Sequence, residues 1–209
     1  MDTKALFSLS YGLFVVGAAR DGKINGMIAN TLMQATSNPL RVTLTLAKGG
    51  LTHDMVAATG AFSASVLCQG ADFALFKHFG LQSGRDSEKF GAGGAWSPDA
   101  QGLPYLTRMA CARFSCRVVQ SLDLDTHTWF LADVLDAARL EAAAPITYAD
   151  YHRDIKPKAE PVTSARSGEQ RRSRRWRCKI CGYIHEGGSL PEDFICPWCK
   201  HGAIDFEEI

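Results

Sequence analysis

The sequence predicts a mainly β protein: an antiparallel barrel with short helices, joined by a basic spacer to a small metal-binding domain. Three observations predict it. Apolar and polar residues alternate at the period of two that a half-buried strand requires. Turn signals recur between such runs, and only two segments read as helices. Four of the seven cysteines fall in the last 32 of the 209 residues, as two C-x-x-C pairs, in a segment too short to build a sufficient core of its own.

The elements follow in chain order. Leu13 to Val16 opens the strands. In Arg41 to Leu46, Val42, Leu44 and Leu46 share one face, and Arg41, Thr43 and Thr45 the other. Phe62 to Leu67, Phe114 to Leu122 and Trp129 to Val134 are further strands, the last two joined by a turn over Asp123 to Thr126. One helix starts near Thr52, read as its N-cap, and runs toward Gly60. Another covers Asp72 to Phe79. From Lys156 to Arg175 the chain carries prolines, serines and then Arg171, Arg172, Arg174 and Arg175, with no apolar period, which reads as a flexible linker. The expected domains are therefore 1–155 and 176–209, with 156–175 between them.

Composition excludes several classes. A net charge of +1 gives no global attraction to nucleic acid or a membrane surface. The longest apolar runs, such as Leu13 to Ala19, fall well short of the ~18–20 residues that span a bilayer. The start, Met1-Asp2-Thr3-Lys4, is not followed by the apolar core of a signal peptide. A cytoplasmic location is expected, where paired thiols are metal ligands more often than disulfides.

Cys178-Lys179-Ile180-Cys181 and Cys196-Pro197-Trp198-Cys199 are separated by fourteen residues. Two residues between thiolates let a tight turn aim both sulfurs at one ion, and two such turns build a tetrahedron. That donor set takes zinc or iron. Trp176, Tyr183, Phe194 and Trp198 surround it, as expected where a metal and aromatic rings must staple a minimal domain. Gly182 lets backbone N–H groups approach the sulfurs, which tunes an iron–thiolate centre. His185 and His201 read as surface residues, since four thiolates already complete the site.

The first domain has neither a P-loop nor a G-x-G-x-x-G fingerprint. It has the polar segment Asn30 to Pro39, the strand ending at Ala47, and then Lys48-Gly49-Gly50-Leu51-Thr52. Backbone N–H groups at a helix start, with a lysine beside them, suit a phosphate. On the residues alone, an ordinary loop between strands reads as well. Cys68 reads as a small buried hydrophobe. Cys111 and Cys116, five apart on a strand, are expected on opposite faces. His53, His78 and His152 show no partner in the sequence.

Two resemblances sharpen this reading. Trp176 to Gly187, Phe194 to Cys199 and Phe206-Glu207-Glu208 resemble a rubredoxin, with the short inter-cysteine loop of rubrerythrin tails. This implies one iron on Cys178, Cys181, Cys196 and Cys199, carrying single electrons. Ser10 to Gly17, Asn30 to Pro39, Phe62 to Leu67, Phe79-Gly80, Ser83-Gly84-Arg85, Lys89-Phe90 and Thr147 to His152 are similar to the flavin reductase-like FMN-binding split barrels. The matching positions imply FMN contacts at Asn30, Thr31, Leu32, Met33, Gln34, Ala47, Lys48, Thr52, Lys89 and His127. In that scheme Lys48 and Thr52 hold the phosphate, and the barrel forms a homodimer.

The two halves in this order resemble the high-molecular-weight rubredoxins. That family implies an oxidoreductase passing electrons from NADH or NADPH through FMN to iron, and on to a flavodiiron protein, with rubrerythrin or a superoxide reductase as alternative recipients. Residues 176–209 carry six acidic against three basic side chains, a face suited to a basic partner. Three other readings compete: a flavin reductase with a structural zinc ribbon, a non-enzymatic FMN and iron relay, and a nucleic-acid-binding zinc ribbon that the acidic tail disfavours.

Overall fold

The structure, a computed structural model, describes residues 1–91, 94–157, 174–179, 183–187, 189–196 and 202–209. It divides into two compact units, Met1–Ile155 and Lys156–Ile209.

The first unit contains strands β1 (Phe14–Arg20), β2 (Lys23–Ala29), β3 (Met33–Ser37) and β4 (Leu40–Ala47), helix α1 (Leu51–Thr59), strand β5 (Ala61–Leu67) and helix α2 (Phe73–Gly80). The short pair β6 (Trp96–Pro98) and β7 (Pro104–Leu106) follows, then the long strands β8 (Ala110–Leu124) and β9 (His127–Arg139) and the short helix α3 (Tyr148–Asp150). Seven of the strands form one sheet in the order β2-β1-β5-β8-β9-β4-β3, with every neighbouring pair antiparallel. Among the described residues no ladder joins β2 to β3. The sheet thus runs from β2 at one edge to β3 at the other, in keeping with the split barrel that the resemblance implied.

Alternation places the core. In β4, Val42, Leu44 and Leu46 are buried, and they meet Phe130 and Ala132 of β9, Phe62 and Ala64 of β5, and Met55 and Val56 of α1. A second cluster lies outside the sheet, where Phe76 and Phe79 of α2 pack with Leu13, Val15, Phe90 and Leu106. Helix α1 is capped by Gly50 rather than Thr52, which sits one turn position further in. It ends on Gly60 in the left-handed conformation, φ 66°. Asp72 caps α2, its side chain accepting from the Leu75 N–H.

The segment Asn30 to Pro39 is not a loop throughout, since Met33–Ser37 forms an edge strand with every residue exposed. With neither face buried, no alternation could mark it. The connection between β8 and β9 is tighter than expected, with Asp125 at φ 58° and only Asp125 and Thr126 outside the strands.

The β6–β7 hairpin is fastened to the outer face of the sheet by polar groups. Ser63 donates to the Pro104 carbonyl at 2.5 Å, Ser65 accepts from the Leu106 N–H at 3.0 Å, and Ser115 accepts from Gln101 at 2.7 Å. All three serines are buried. A Cβ on Gly17 would lie 2.1 Å from the Pro104 carbonyl oxygen, so only glycine admits this approach. Trp96 donates to the Gly91 carbonyl and packs edge-on to Phe90.

The second unit contains β10 (Arg175–Cys178), β11 (Ile184–Glu186) and β12 (Phe206–Glu208), in the order β11-β10-β12. Phe206 is buried, with Phe194 edge-on at 5.2 Å and His185 4.5 Å beyond it. The expected linker falls mostly on residues 158–173, outside the described residues, and its last residue, Arg175, opens β10.

Candidate functional site

The expected flavin contacts fall on three neighbouring segments. β4 pairs with β9 so that Ala47 faces His127, Leu46 faces Thr128 and Thr45 faces Trp129. The Lys48 N–H donates to the Thr126 carbonyl at 3.0 Å, closing that corner. The third segment, Asn30 to Gln34, joins from the other side: Met33 pairs with Thr43, and the Thr31 hydroxyl donates to the Thr45 carbonyl. Asn30 to Gln34, Ala47, Lys48 and His127 are thereby brought to one region of the sheet. Met33, Gln34, Ala47, Lys48 and His127 are exposed there. Leu32 is buried in the core, so only its backbone faces outward chemistry.

The start of α1 fits a phosphate. Gly50 offers no side-chain cap, so the first N–H groups of the helix have no side-chain acceptor of their own. A Cβ on Gly49 would meet nothing within 4 Å, and the Lys48 ammonium lies alongside in sequence. Lys48 is held by Asp123, with Nζ 2.7 Å from both carboxylate oxygens. The Lys48 ammonium, followed by the Asp125 N–H, holds the Asp123 carboxyl below the usual carboxylate range.

Two expected side chains are engaged elsewhere. Thr52 is 1% exposed, and its hydroxyl accepts from the Asn25 amide at 2.9 Å. Its side chain is therefore a buried tie between α1 and β2, and only its backbone belongs to the helix start. Lys89 is 5% exposed, and its ammonium donates to the Phe79 carbonyl at 2.8 Å. It satisfies a carbonyl in the last turn of α2, where a cation suits the helix dipole. Burial pushes its pKa down to about 8. His78 bonds the Lys89 carbonyl and completes the clasp.

A polar chain lies beside this corner. His53, 8% exposed, bonds Asp54 through Nδ1 at 3.0 Å and Thr128 through Nε2 at 2.9 Å. Asp54 also accepts from Arg85 at 2.6 Å. The hydrogen bond from His53, then Arg85, holds the Asp54 carboxyl below its ordinary value. The signal was available in part, since Thr52-His53-Asp54 is a polar run in the first turn of a mostly apolar helix.

In the second unit Cys178 is 1% exposed and Cys196 fully buried. The Cys178 N–H donates to the Tyr183 carbonyl at 2.8 Å and the Lys179 N–H to the Asp205 carbonyl at 2.7 Å, which ties the end of β10 to the residues that precede β11 and β12. Buried thiols are of the kind that a thiophilic metal takes as ligands, and these are two of the four expected. Cys181 and Cys199 lie outside the described residues. In the first unit, Cys68 and Cys116 are buried as small core residues, with burial the first cause of raised thiol pKa values of about 11 and about 12. The Cys111 thiol lies 3.7 Å from the Val66 carbonyl, while Cys116 belongs to the core cluster.

Comparison with known proteins places both units. Residues 6–156 match the flavin reductase like domain, and residues 176–207 match the rubrerythrin, rubredoxin-like domain. A high molecular weight rubredoxin of Moorella thermoacetica is 36% identical over the full length of both chains. The chain belongs to the high-molecular-weight rubredoxins. Residues equivalent to 73% of the chain are 38% identical to a ferric-chelate reductase (NAD(P)H) of Archaeoglobus fulgidus, covering 89% of that protein. The NADH:FAD oxidoreductase SgcE6 of Streptomyces globisporus shares the fold at TM-score 0.62 and 23% identity, over 69% of this chain and 84% of that one. The family is one of flavin-dependent electron-transfer oxidoreductases with an iron centre. No helix among the described residues is long and apolar enough to cross a membrane.

Proposed function

We propose that this chain passes electrons from NADH or NADPH, through FMN, to one iron held by Cys178, Cys181, Cys196 and Cys199, and on to a soluble partner in the cytoplasm. The recipient is a flavodiiron protein, with rubrerythrin and a superoxide reductase as the alternatives to be tested beside it. The observation that carries the reading is the presence on one polypeptide of both domain types, in the order and over the length of the Moorella relative. When bound, FMN accepts a hydride as an electron pair and a tetrathiolate iron carries one electron at a time, so the two convert between currencies.

The protein's own residues would do the holding. Asn30, Thr31 and Gln34 offer polar groups to the flavin edge, with the Leu32 and Met33 backbone beside them. Lys48 and the uncapped N–H groups from Leu51 to His53 receive the phosphate, and Ala47 and His127 border the ring. Thr52 contributes through its backbone, and Lys89 by fixing α2. FMN rather than FAD is favoured because a single lysine beside one helix start suits one terminal phosphate. Exposed Met33, Leu40, Leu122 and Leu124 on β3, β4 and β8 supply an apolar surface of the kind a homodimer covers.

Anaerobic stopped-flow mixing of the holoprotein with NADH and with NADPH tests this. The flavin band should bleach first and the iron–thiolate band follow within one turnover. Flavin bleaching with no change at the iron would overturn the relay, and no bleaching by either nucleotide would leave only a non-enzymatic carrier.

A further inference from the structure

We propose that His53 is a positioning residue for the flavin site, holding the start of β9 against the start of α1 through the hydroxyl of Thr128. The inference rests on the reading above that this corner binds FMN.

The candidate contacts come from two segments that must keep a fixed separation: Ala47 to Thr52 on one side and His127 on the other. Beyond the β4–β9 ladder, which pairs Ala47 with His127, two links between them lie at the surface, the Lys48 N–H to the Thr126 carbonyl and the Lys48–Asp123 ion pair. The third is half-buried, with His53 8% exposed and Thr128 at intermediate exposure. His53 Nε2 lies 2.9 Å from Thr128 Oγ1, directly next to His127 in sequence, and Thr128 pairs with Leu46, one residue from Ala47. Surface links compete with water and salt, whereas the nearly buried His53 ring loses its partner only at a cost.

Both ring nitrogens are engaged: Nδ1 lies 3.0 Å from the Asp54 carboxylate and Nε2 2.9 Å from the Thr128 hydroxyl. Asp54 is anchored in turn by Arg85 from the segment after α2. The ring of Phe130 lies 6.1 Å from that of His53 and bounds the site on the core side. His53 therefore has one orientation that satisfies both nitrogens, and that orientation sets where β9 begins relative to α1.

The test is FMN binding to the full-length chain freed of flavin, read by quenching of flavin fluorescence and by the visible circular dichroism of the bound ring, with thermal unfolding of the flavin-free chain alongside. Thr128→Val and His53→Asn should each weaken FMN roughly tenfold, and the double variant should be no weaker than either alone. His53→Gln, whose amide reaches Thr128, should recover most of the affinity and the dichroism. Independent losses that multiply in the double variant would overturn the proposal, as would equal behaviour of the Gln and Asn variants. If the unaltered chain binds no flavin, the flavin-site reading itself fails. If it binds FMN and the single variants bind it as well, only the positioning role fails.

Discussion

Lys48 and Asp123 meet end to end, the ammonium 2.7 Å from both carboxylate oxygens, at the mouth of the candidate phosphate site. The lysine that would neutralise a phosphate is already neutralised by a neighbour. A bound phosphate must therefore share or displace Asp123, and the aspartate weakens anion binding there. Asp123→Asn should tighten FMN about threefold at low salt and leave riboflavin, which has no phosphate, unchanged. Lys48→Met should weaken FMN roughly tenfold, again with riboflavin as the control. Parallel titrations of both flavins check the pair.

Thr52 separates two roles that its sequence position confounds. Its hydroxyl is buried against Asn25, so Thr52→Val strands the Asn25 amide. The expected cost is about 1–3 kcal/mol of barrel stability, or a fall in the melting temperature of roughly 2–4 °C per kcal/mol. FMN affinity of the folded variant should change little. Full stability with lost FMN binding would return Thr52 to the phosphate.

Lys89 gives the barrel a signature in alkaline solution. Its folded-state pKa of about 8 lies below the value of 10.5 of a free lysine. Between those values the unfolded chain holds more protons than the folded one, so stability rises with pH across that window. Below about pH 8 both states are protonated and the full cost of the buried charge is present. Lys89→Met should abolish this rise, measured by urea unfolding at pH 7.5, 9 and 10.5.

Gly17 tests the fastening of the β6–β7 hairpin. Gly17→Ala puts a methyl 2.1 Å from the Pro104 carbonyl oxygen and 2.5 Å from the Ser63 hydroxyl. The expected loss is about 1–3 kcal/mol, with faster hydrogen exchange at Leu106, whose N–H is bonded to Ser65. Chemical denaturation and exchange measured together distinguish local lifting from global loss.

Cys196→Ser should remove the metal and the red colour of an iron–thiolate centre while the barrel unfolds as before, because the two units have separate cores. Metal analysis and absorption spectra of protein from iron-replete cells check this. A colourless chain holding one zinc would point instead to the flavin reductase with a structural ribbon.

Much of this was legible in the residues, for identifiable reasons. β4 could be read because one face is buried and the other is not, and the cysteine pairs because thiolate spacing is dictated by the ion. β3 escaped because Met33 to Ser37 are exposed on both faces and leave no period. β2 escaped although Asp21-Gly22, both at positive φ, forms the two-residue turn that announces a hairpin. The segments carrying Asn30, Lys48 and His127 are grouped by the family resemblance, and the sheet sets them side by side. The engagement of Thr52 by Asn25 and of Lys89 by Phe79 was hidden, because each partner lies on another element and depends on the three-dimensional crossing. The His53–Thr128 contact, 75 residues apart in sequence, was hidden for the same reason.

The serines beneath the β6–β7 hairpin have a consequence for specificity of shape. An oily contact tolerates sliding, since one methyl serves nearly as well as the next. Hydroxyls do not, because Ser63, Ser65 and Ser115 answer particular groups of the hairpin, the Pro104 carbonyl, the Leu106 N–H, and the Gln101 and Asp99 side chains. A slip of a single residue would strand all three at once inside a dry layer. The flap is thereby locked in one alignment, seated correctly or not at all.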